Sequence, residues 1–136
     1  MAGSFQVGMR REVVITTQPE QTAKYFYHNL PDVFATPFLA GCMERVSAEL
    51  MHDCLQPGEQ SVGGSMNLTH TAPTPLGMRV RVATELVAVD GAKLTFKLEA
   101  WDAVEKIGEA VHERYIIKIE KFNAKVAAKA KTIHEA

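Results

Sequence analysis

One run, Thr36-Pro37-Phe38-Leu39-Ala40-Gly41-Cys42-Met43, limits what this chain can fold into. Thr followed by Pro reads as a helix start. The Thr hydroxyl accepts from an orphan first-turn N–H, and Pro fits where its missing N–H costs nothing. Every residue from Phe38 to Met43 is apolar or small, which predicts a helix with almost no solvent face over its first two turns. Such a rod must be enclosed by the rest of the chain. We place it over residues 37–54, closed by Gln56-Pro57-Gly58. Arg45, Glu49, His52 and Asp53 make its later part polar, so it emerges into solvent at its C-terminal end.

The remaining sequence supplies the enclosure. Residues 1–8 read as a loose leader, and Val13-Val14-Ile15 mark a first strand over 11–17, stopped by Gln18-Pro19. Residues 20–30, with Tyr25, Phe26 and Tyr27 but no clear period, read as a short irregular or helical segment over an opening. After Gly58 the pattern is strand-like. Residues 59–71 contain Gly63-Gly64, which permits a bulge or a close backbone approach. Residues 78–86 and 94–101 alternate apolar with polar residues on either side of an Asp90-Gly91 hairpin signal. Residues 107–121 read as a long final strand, and Asn123 onward as a surface helix. The order strand, helix, four strands implies one α+β domain over 1–136: a buried central helix wrapped by a curved antiparallel sheet, the hot-dog architecture.

Composition bounds the function. With 46% hydrophobic residues in 136, the chain has the make-up of one globular domain. Fifteen basic against sixteen acidic residues give a net charge of -1, so no global attraction to nucleic acid or membrane is expected. Arg10 and Arg11 precede no apolar run of the secretory type, and no stretch has the length of a membrane span. Cys42 and Cys54, twelve residues apart on one helix, would sit about 18 Å apart, too far to bridge. Free thiols suit a reducing cytoplasm.

Three residues carry candidate chemistry. Glu44 follows directly on the apolar rod; a carboxylate taken out of water must be paired, neutralised or functional, and burial raises its pKa. The bland alternative is a helix carboxylate on the solvated face, paired with Arg45 or another cation. Thr36 has a structural job already as an N-cap. His70 shares a strand face with Met66 and Leu68 and sits at the rim before a Pro-rich turn, so a core role and a functional one stay equally open. Eight residues of helix leave Thr36 and Glu44 about 80° apart in rotation and about 12 Å apart along the axis. A site using both must be spanned by a substrate or completed from elsewhere. His28, His52, His112 and His134 lack partners at metal-ligand spacing, and neither a nucleophile elbow nor a phosphate loop is present.

Val33-Phe34-Ala35-Thr36, Met43-Glu44, Thr69-His70-Thr71-Ala72, His112-Glu113-Arg114 and Glu120-Lys121-Phe122-Asn123-Ala124-Lys125-Val126 closely resemble the fluoroacetyl-CoA thioesterase-like family of hot-dog proteins. The resemblance implies an acyl-CoA substrate, with coenzyme A present only as part of it, no separate cofactor, and no metal. It also implies a homodimer, or a dimer of dimers, with active sites at the subunit interface. A Thr–Glu–His constellation carries over to Thr36, Glu44 and His70, with Arg114 near the acyl end and Leu30 and Phe34 as further substrate-binding residues. Members specific for fluoroacetyl-CoA place an aromatic lid residue just before the Pro-x-Val-Phe stretch, where this chain has Leu30. The resemblance therefore points to a generic short-chain acyl-CoA.

Thioester hydrolysis needs an attacking group, a donor for the developing oxyanion, and a proton for the leaving thiolate. The helix start offers backbone N–H groups, the first beyond Pro37 being those of Phe38 and Leu39. Glu44 is the candidate general base or covalent nucleophile, His70 the acid or water-orienting group, and Thr36 the group that polarises the carbonyl or positions water. A non-catalytic acyl-CoA sensor and an enoyl-CoA hydratase or dehydratase are the competing uses of the same architecture.

Overall fold

Apolar side chains at every second position make the strands of this chain one-sided, and their buried sides all meet one helix. In the computed structural model, which describes residues 4–133, the elements run β1 (Arg10–Thr16), a short 3-10 turn (Pro19–Gln21), α1 (Ala23–Phe26), α2 (Thr36–His52), β2 (Glu59–His70), β3 (Arg79–Asp90), β4 (Lys93–Trp101), β5 (Lys106–Lys118) and α3 (Ile119–Ala130). The five strands form one antiparallel sheet in the order β1-β3-β4-β5-β2. Leu39, Met43, Val46, Leu50 and Met51 of α2 are buried against Val80, Val82 and Leu86 of β3, Leu94, Phe96 and Leu98 of β4, and Ile107 of β5. Inside this core Ser47 gives its hydroxyl to the Met43 carbonyl and meets the Thr84 hydroxyl at 2.9 Å, so the buried polar groups are paired.

The strand pattern and the hairpin appear where alternation placed them, Gly91 taking φ 59° in the β3–β4 turn. The Gly63-Gly64 pair forms a bulge, the register of β2 on β5 shifting between Gly63 and Ser65. A Cβ on Gly64 would collide with the ring of Tyr115, which lies across it.

Four expectations are corrected. The final strand stops at Lys118, and α3 begins at Ile119 rather than Asn123; the Ile119 N–H is given to the Gly58 carbonyl, which ends the ladder. The leader is partly tied down: Gly8 N–H donates to Leu86 O, and Phe5 and Met9 pack on the core. Its first three residues, and His134 at the other end, lie outside the described residues. Cys54 falls past the end of α2, although both cysteines are free thiols. Finally, α2 is not enclosed on all sides. Leu39 and Met43 are fully buried, Phe38, Ala40 and Cys42 are half-buried, and Thr36, Pro37, Gly41, Glu44 and Arg45 are exposed. No described helix is long and apolar enough to cross a membrane.

The Leu39 contact anchors α2 on the sheet, and its methyl groups also lie against Gly108 of β5. Leu39→Ala should cost about 2–5 kcal/mol by loss of burial and creation of a cavity. Urea unfolding of the variant, with an unchanged slope and a lower midpoint, checks this.

Candidate active site

Thr36 does not cap α2. The N-cap is Ala35, with no side-chain cap bond, and Thr36 is the first helical residue with Pro37 behind it. Its hydroxyl is thereby released, and it meets His70 Nδ1 at 2.8 Å. His70 arrives at this point because it closes β2, opposite Gly108 of β5, with its ring on the inner face. Its Nε2 is buried without a hydrogen-bond partner. Burial pushes the imidazole below its ordinary pKa, the Ala72 main chain opposing in part. The pair opens on a cavity of about 280 Å³ lined by Ala23, Val33, Phe34, Thr36, His70 and Ala72.

The segment read as lying over an opening does so: α1 contributes Ala23 to that cavity. Tyr25, Phe26, Tyr27 and Leu30 are exposed around it, Phe26 packing on Phe38 at 5.3 Å between ring centroids. Leu30 caps a turn on Tyr27 at the outer surface and does not line the cavity, whereas Phe34 is 1% exposed and forms part of its wall. The first-turn donors expected at Phe38 and Leu39 are both spent on the Ala35 carbonyl, and Ala35 N–H is given to Gln21 O. Pro37 has none to give, which leaves the Thr36 N–H.

Glu44 stands apart, about two turns further along α2. Its side chain is 49% exposed, so the deep burial expected for it is not found within this chain. The reason is rotational: Met43 and Val46 take the buried face, and the two residues between them, Glu44 and Arg45, lie on the exposed side. Nor does it pair with Arg45, which lies 3.5 Å from Glu49. Its cation is Arg114 of β5, 3.7 Å away and 7% exposed. Burial lowers the guanidinium pKa from its high ordinary value while Glu44 raises it, and arginine remains charged. Thus the structure joins Thr36, His70 and Phe34 at one cavity, Glu44 and Arg114 in a second cluster, and does not bring the two together in one copy.

The second cluster contains residues that the sequence reading missed. Arg114 donates from Nε to Ser61 Oγ at 3.0 Å, from Nη2 to Ser61 O at 3.2 Å, and from Nη1 to His112 Nε2 at 3.2 Å. A Cβ on Gly63 would lie 2.5 Å from Glu44 Oε1, so glycine alone leaves room for the carboxylate there. The signal available in the sequence was period two: His112 and Arg114 must share the inner face of β5. Among the described residues no three His, Cys, Asp or Glu side chains converge as metal ligands.

Comparison with known proteins now decides the family. The model of the fluoroacetyl-CoA-specific thioesterases matches residues 17–120. The chain belongs to that family. The fluoroacetyl-CoA thioesterase of Streptantibioticus cattleyicolor is 40% identical over 95% of this chain and 97% of its own. A solved structure of the fluoroacetyl-CoA thioesterase FlK superposes with a TM-score of 0.90 at 40% identity, covering 93% of this chain and 98% of that one. A thioesterase-superfamily protein of Thermus thermophilus shares the fold, with a TM-score of 0.90 at 22% identity over 96% and 97% of the two chains. The fold is hot-dog α+β, and the family's chemistry is that of an acyl-CoA thioesterase, hydrolysis of a thioester to free acid and coenzyme A.

Both inner-face imidazoles are held below their ordinary pKa by burial, His70 as described and His112 with Arg114 adding to the effect. The unfolded chain therefore takes up protons at these sites before the folded one does. Stability should fall as pH drops through about 6.5, before carboxylates such as Glu59 and Asp102, themselves held low, begin to contribute. Urea midpoints measured at pH 7.5 and pH 5.5 should show the lower value at pH 5.5.

Proposed function

We propose that this protein hydrolyses short-chain acyl-CoA thioesters at a site completed by a second copy of the chain. The observation that carries the reading is the Thr36–His70 hydrogen bond at 2.8 Å on the wall of a cavity, with the family's third residue, Glu44, out of reach on the same helix. Thr36 and Glu44 lie four residues either side of Ala40. Two α2 helices packed antiparallel about a two-fold axis at Ala40 place each Thr36 opposite the partner's Glu44, as an isologous contact requires. The exposed face supports such an approach. Ala40 and Gly41 are small there, and a Cβ on Gly41 would touch nothing within 4 Å. The sheet supports it too, since β2 stands at one edge with twelve residues of unpaired ladder, which a partner's β2 would cover.

In that site the thioester carbonyl sits against the Thr36 hydroxyl and main-chain N–H, which polarise it and stabilise the oxyanion. Glu44 takes a proton from water as the water oxygen bonds to the carbonyl carbon. The C–S bond then breaks, and the coenzyme A thiolate, the conjugate base of a thiol and so a far better leaving group than an alkoxide, takes up the proton held on Glu44. A neutral His70 suits orientation of Thr36 and water better than acid donation. Phe34 bounds the acyl pocket, Leu30 replaces the lid aromatic of fluoroacetyl-CoA-specific members, and Arg114 balances the Glu44 charge. The free thiols of Cys42 and Cys54 fit a reducing compartment such as the cytoplasm.

Three measurements test this. Glu44→Gln should lower turnover about 10²–10⁴-fold in a thiol-release assay while acyl-CoA binding persists. A folded variant within a few-fold of wild type would leave a non-catalytic acyl-CoA-binding module as the better reading. Gly41→Leu, harmless within one copy, should yield a folded monomer without hydrolysis, read by light scattering and the same assay. With Leu30 in the lid, kcat/KM for fluoroacetyl-CoA over acetyl-CoA should stay far below a ratio of thousands; a ratio of that size would refute the generic substrate.

A further inference from the structure

The guanidinium beside Glu44 is not free to choose its direction. Ser61 takes its Nε–H and one Nη2–H through the hydroxyl and carbonyl oxygens, and His112 Nε2 takes one Nη1–H. Three of the five donors are thereby spent, and Nη1 is left facing Glu44 Oε1 at 3.7 Å. All three anchoring acceptors are neutral. A carboxylate anchor would have spent the positive charge on structure, whereas these acceptors fix its direction and leave it for Glu44.

The state of His112 follows from its two neighbours. Its Nδ1 lies 2.7 Å from the Ser65 carbonyl, which only accepts, so Nδ1 carries the hydrogen. Its Nε2 faces a guanidinium, which only donates, so Nε2 must present a lone pair. Both contacts hold together only in the neutral ring with the hydrogen on Nδ1. The ring is 1% exposed, with Phe96 of β4 on one side at 6.4 Å between centroids. The charged groups that face it are Arg114 of its own strand and Glu44 of α2. A proton on Nε2 would remove the acceptor and set a second cation against Arg114.

We infer that His112, locked as a neutral Nδ1–H tautomer, is a positioning residue that aims Arg114 at Glu44, with Ser61 as the second anchor. The inference rests on the thioesterase reading of Glu44 for its catalytic meaning, but its structural content is separately measurable. Burying a cation among neutral groups is costly, and apolar side chains of similar size would serve packing better. The cost is understandable if the charge is needed at a fixed place.

The test uses the full-length protein. ¹⁵N spectra of the labelled imidazoles should show His112 as the Nδ1–H tautomer and neutral at pH 7. An Nε2–H tautomer, or an imidazolium at pH 7, overturns the proposal whether or not the protein hydrolyses any thioester. A wild type without acyl-CoA hydrolysis would instead fail the functional reading, with the tautomer still decided by the spectra. In the thiol-release assay His112→Gln, which keeps one donor and one acceptor, should stay within a few-fold of wild type. His112→Phe, which keeps an aromatic ring but neither bond, should lose about 10–100-fold, mainly in kcat with KM little changed, on the scale of a lost hydrogen bond to a charged group. Should His112→Phe not fold, Ser61→Ala removes one anchor and should move kcat in the same direction. A folded His112→Phe within twofold of wild type, or a folded Gln variant as impaired as the Phe variant, overturns the proposal.

Discussion

The seating of α2 on the inner face of the sheet is the constraint from which the rest of the structure follows. Leu39, Met43, Val46 and Leu50 lie along one face of the helix at three- and four-residue spacing, and all are buried in the one core that the sheet's inner face shares. Burying them removes the helix's freedom to rotate. With that freedom gone, Thr36 points to the end of β2, where His70 waits, and Glu44 points to the stretch of β5 that carries Arg114. Functional side chains on a packed helix are held more closely than side chains on loops, because the rotation that would misplace them would also expose the core.

The same packing divides the chemistry in two. One cluster opens on the cavity: an exposed hydroxyl against a half-buried imidazole whose protonation burial disfavours. The other is charged and partly wet: a half-exposed carboxylate beside a buried guanidinium held by Ser61 and His112. In the proposed mechanism the first polarises the carbonyl and the second takes a proton from water, so neither suffices alone. Their separation is a property of the helix, about 12 Å along its axis, and side-chain rotation cannot close it. Antiparallel apposition of two such helices closes it without moving either, and the small residues Ala40 and Gly41 stand midway between the two clusters.

Much of this was legible in the residues themselves. Alternation along residues 78–86 and 94–101 specified the inner faces of both strands, because a side chain's face on a strand depends on parity, whereas β3 runs on to Asp90 past a register shift between Leu86 and Ala88. Gly63-Gly64 and Asp90-Gly91 announced a bulge and a turn through backbone freedom alone. The start of α2 was visible in Thr36-Pro37. Where local pattern was ambiguous it misled: Ile116-Ile117 and Ile119 read as continuous strand, whereas the chain turns into α3 at Ile119 on a hydrogen bond to Gly58, sixty-one residues earlier.

What the sequence determined by itself, then, is most of the elements, the family, and the nomination of Thr36, Glu44 and His70 as candidates, since these depend on residue type, motif and short-range spacing. What only the tertiary structure decided is where those residues stand and what they touch. Ala, Gly and Cys are small enough to sit inside or outside, so no periodicity could show that Ala40 and Gly41 belong to the open side of α2 and that Glu44 goes with them. A Thr before Pro can cap or not, and only the arrival of His70 from β2 shows its hydroxyl engaged elsewhere. The tautomer of His112 is the furthest from the sequence, because it is set by a carbonyl forty-seven residues away and by a guanidinium two residues along the same strand. Contacts of that kind are made by the fold, and no property of the residue alone contains them.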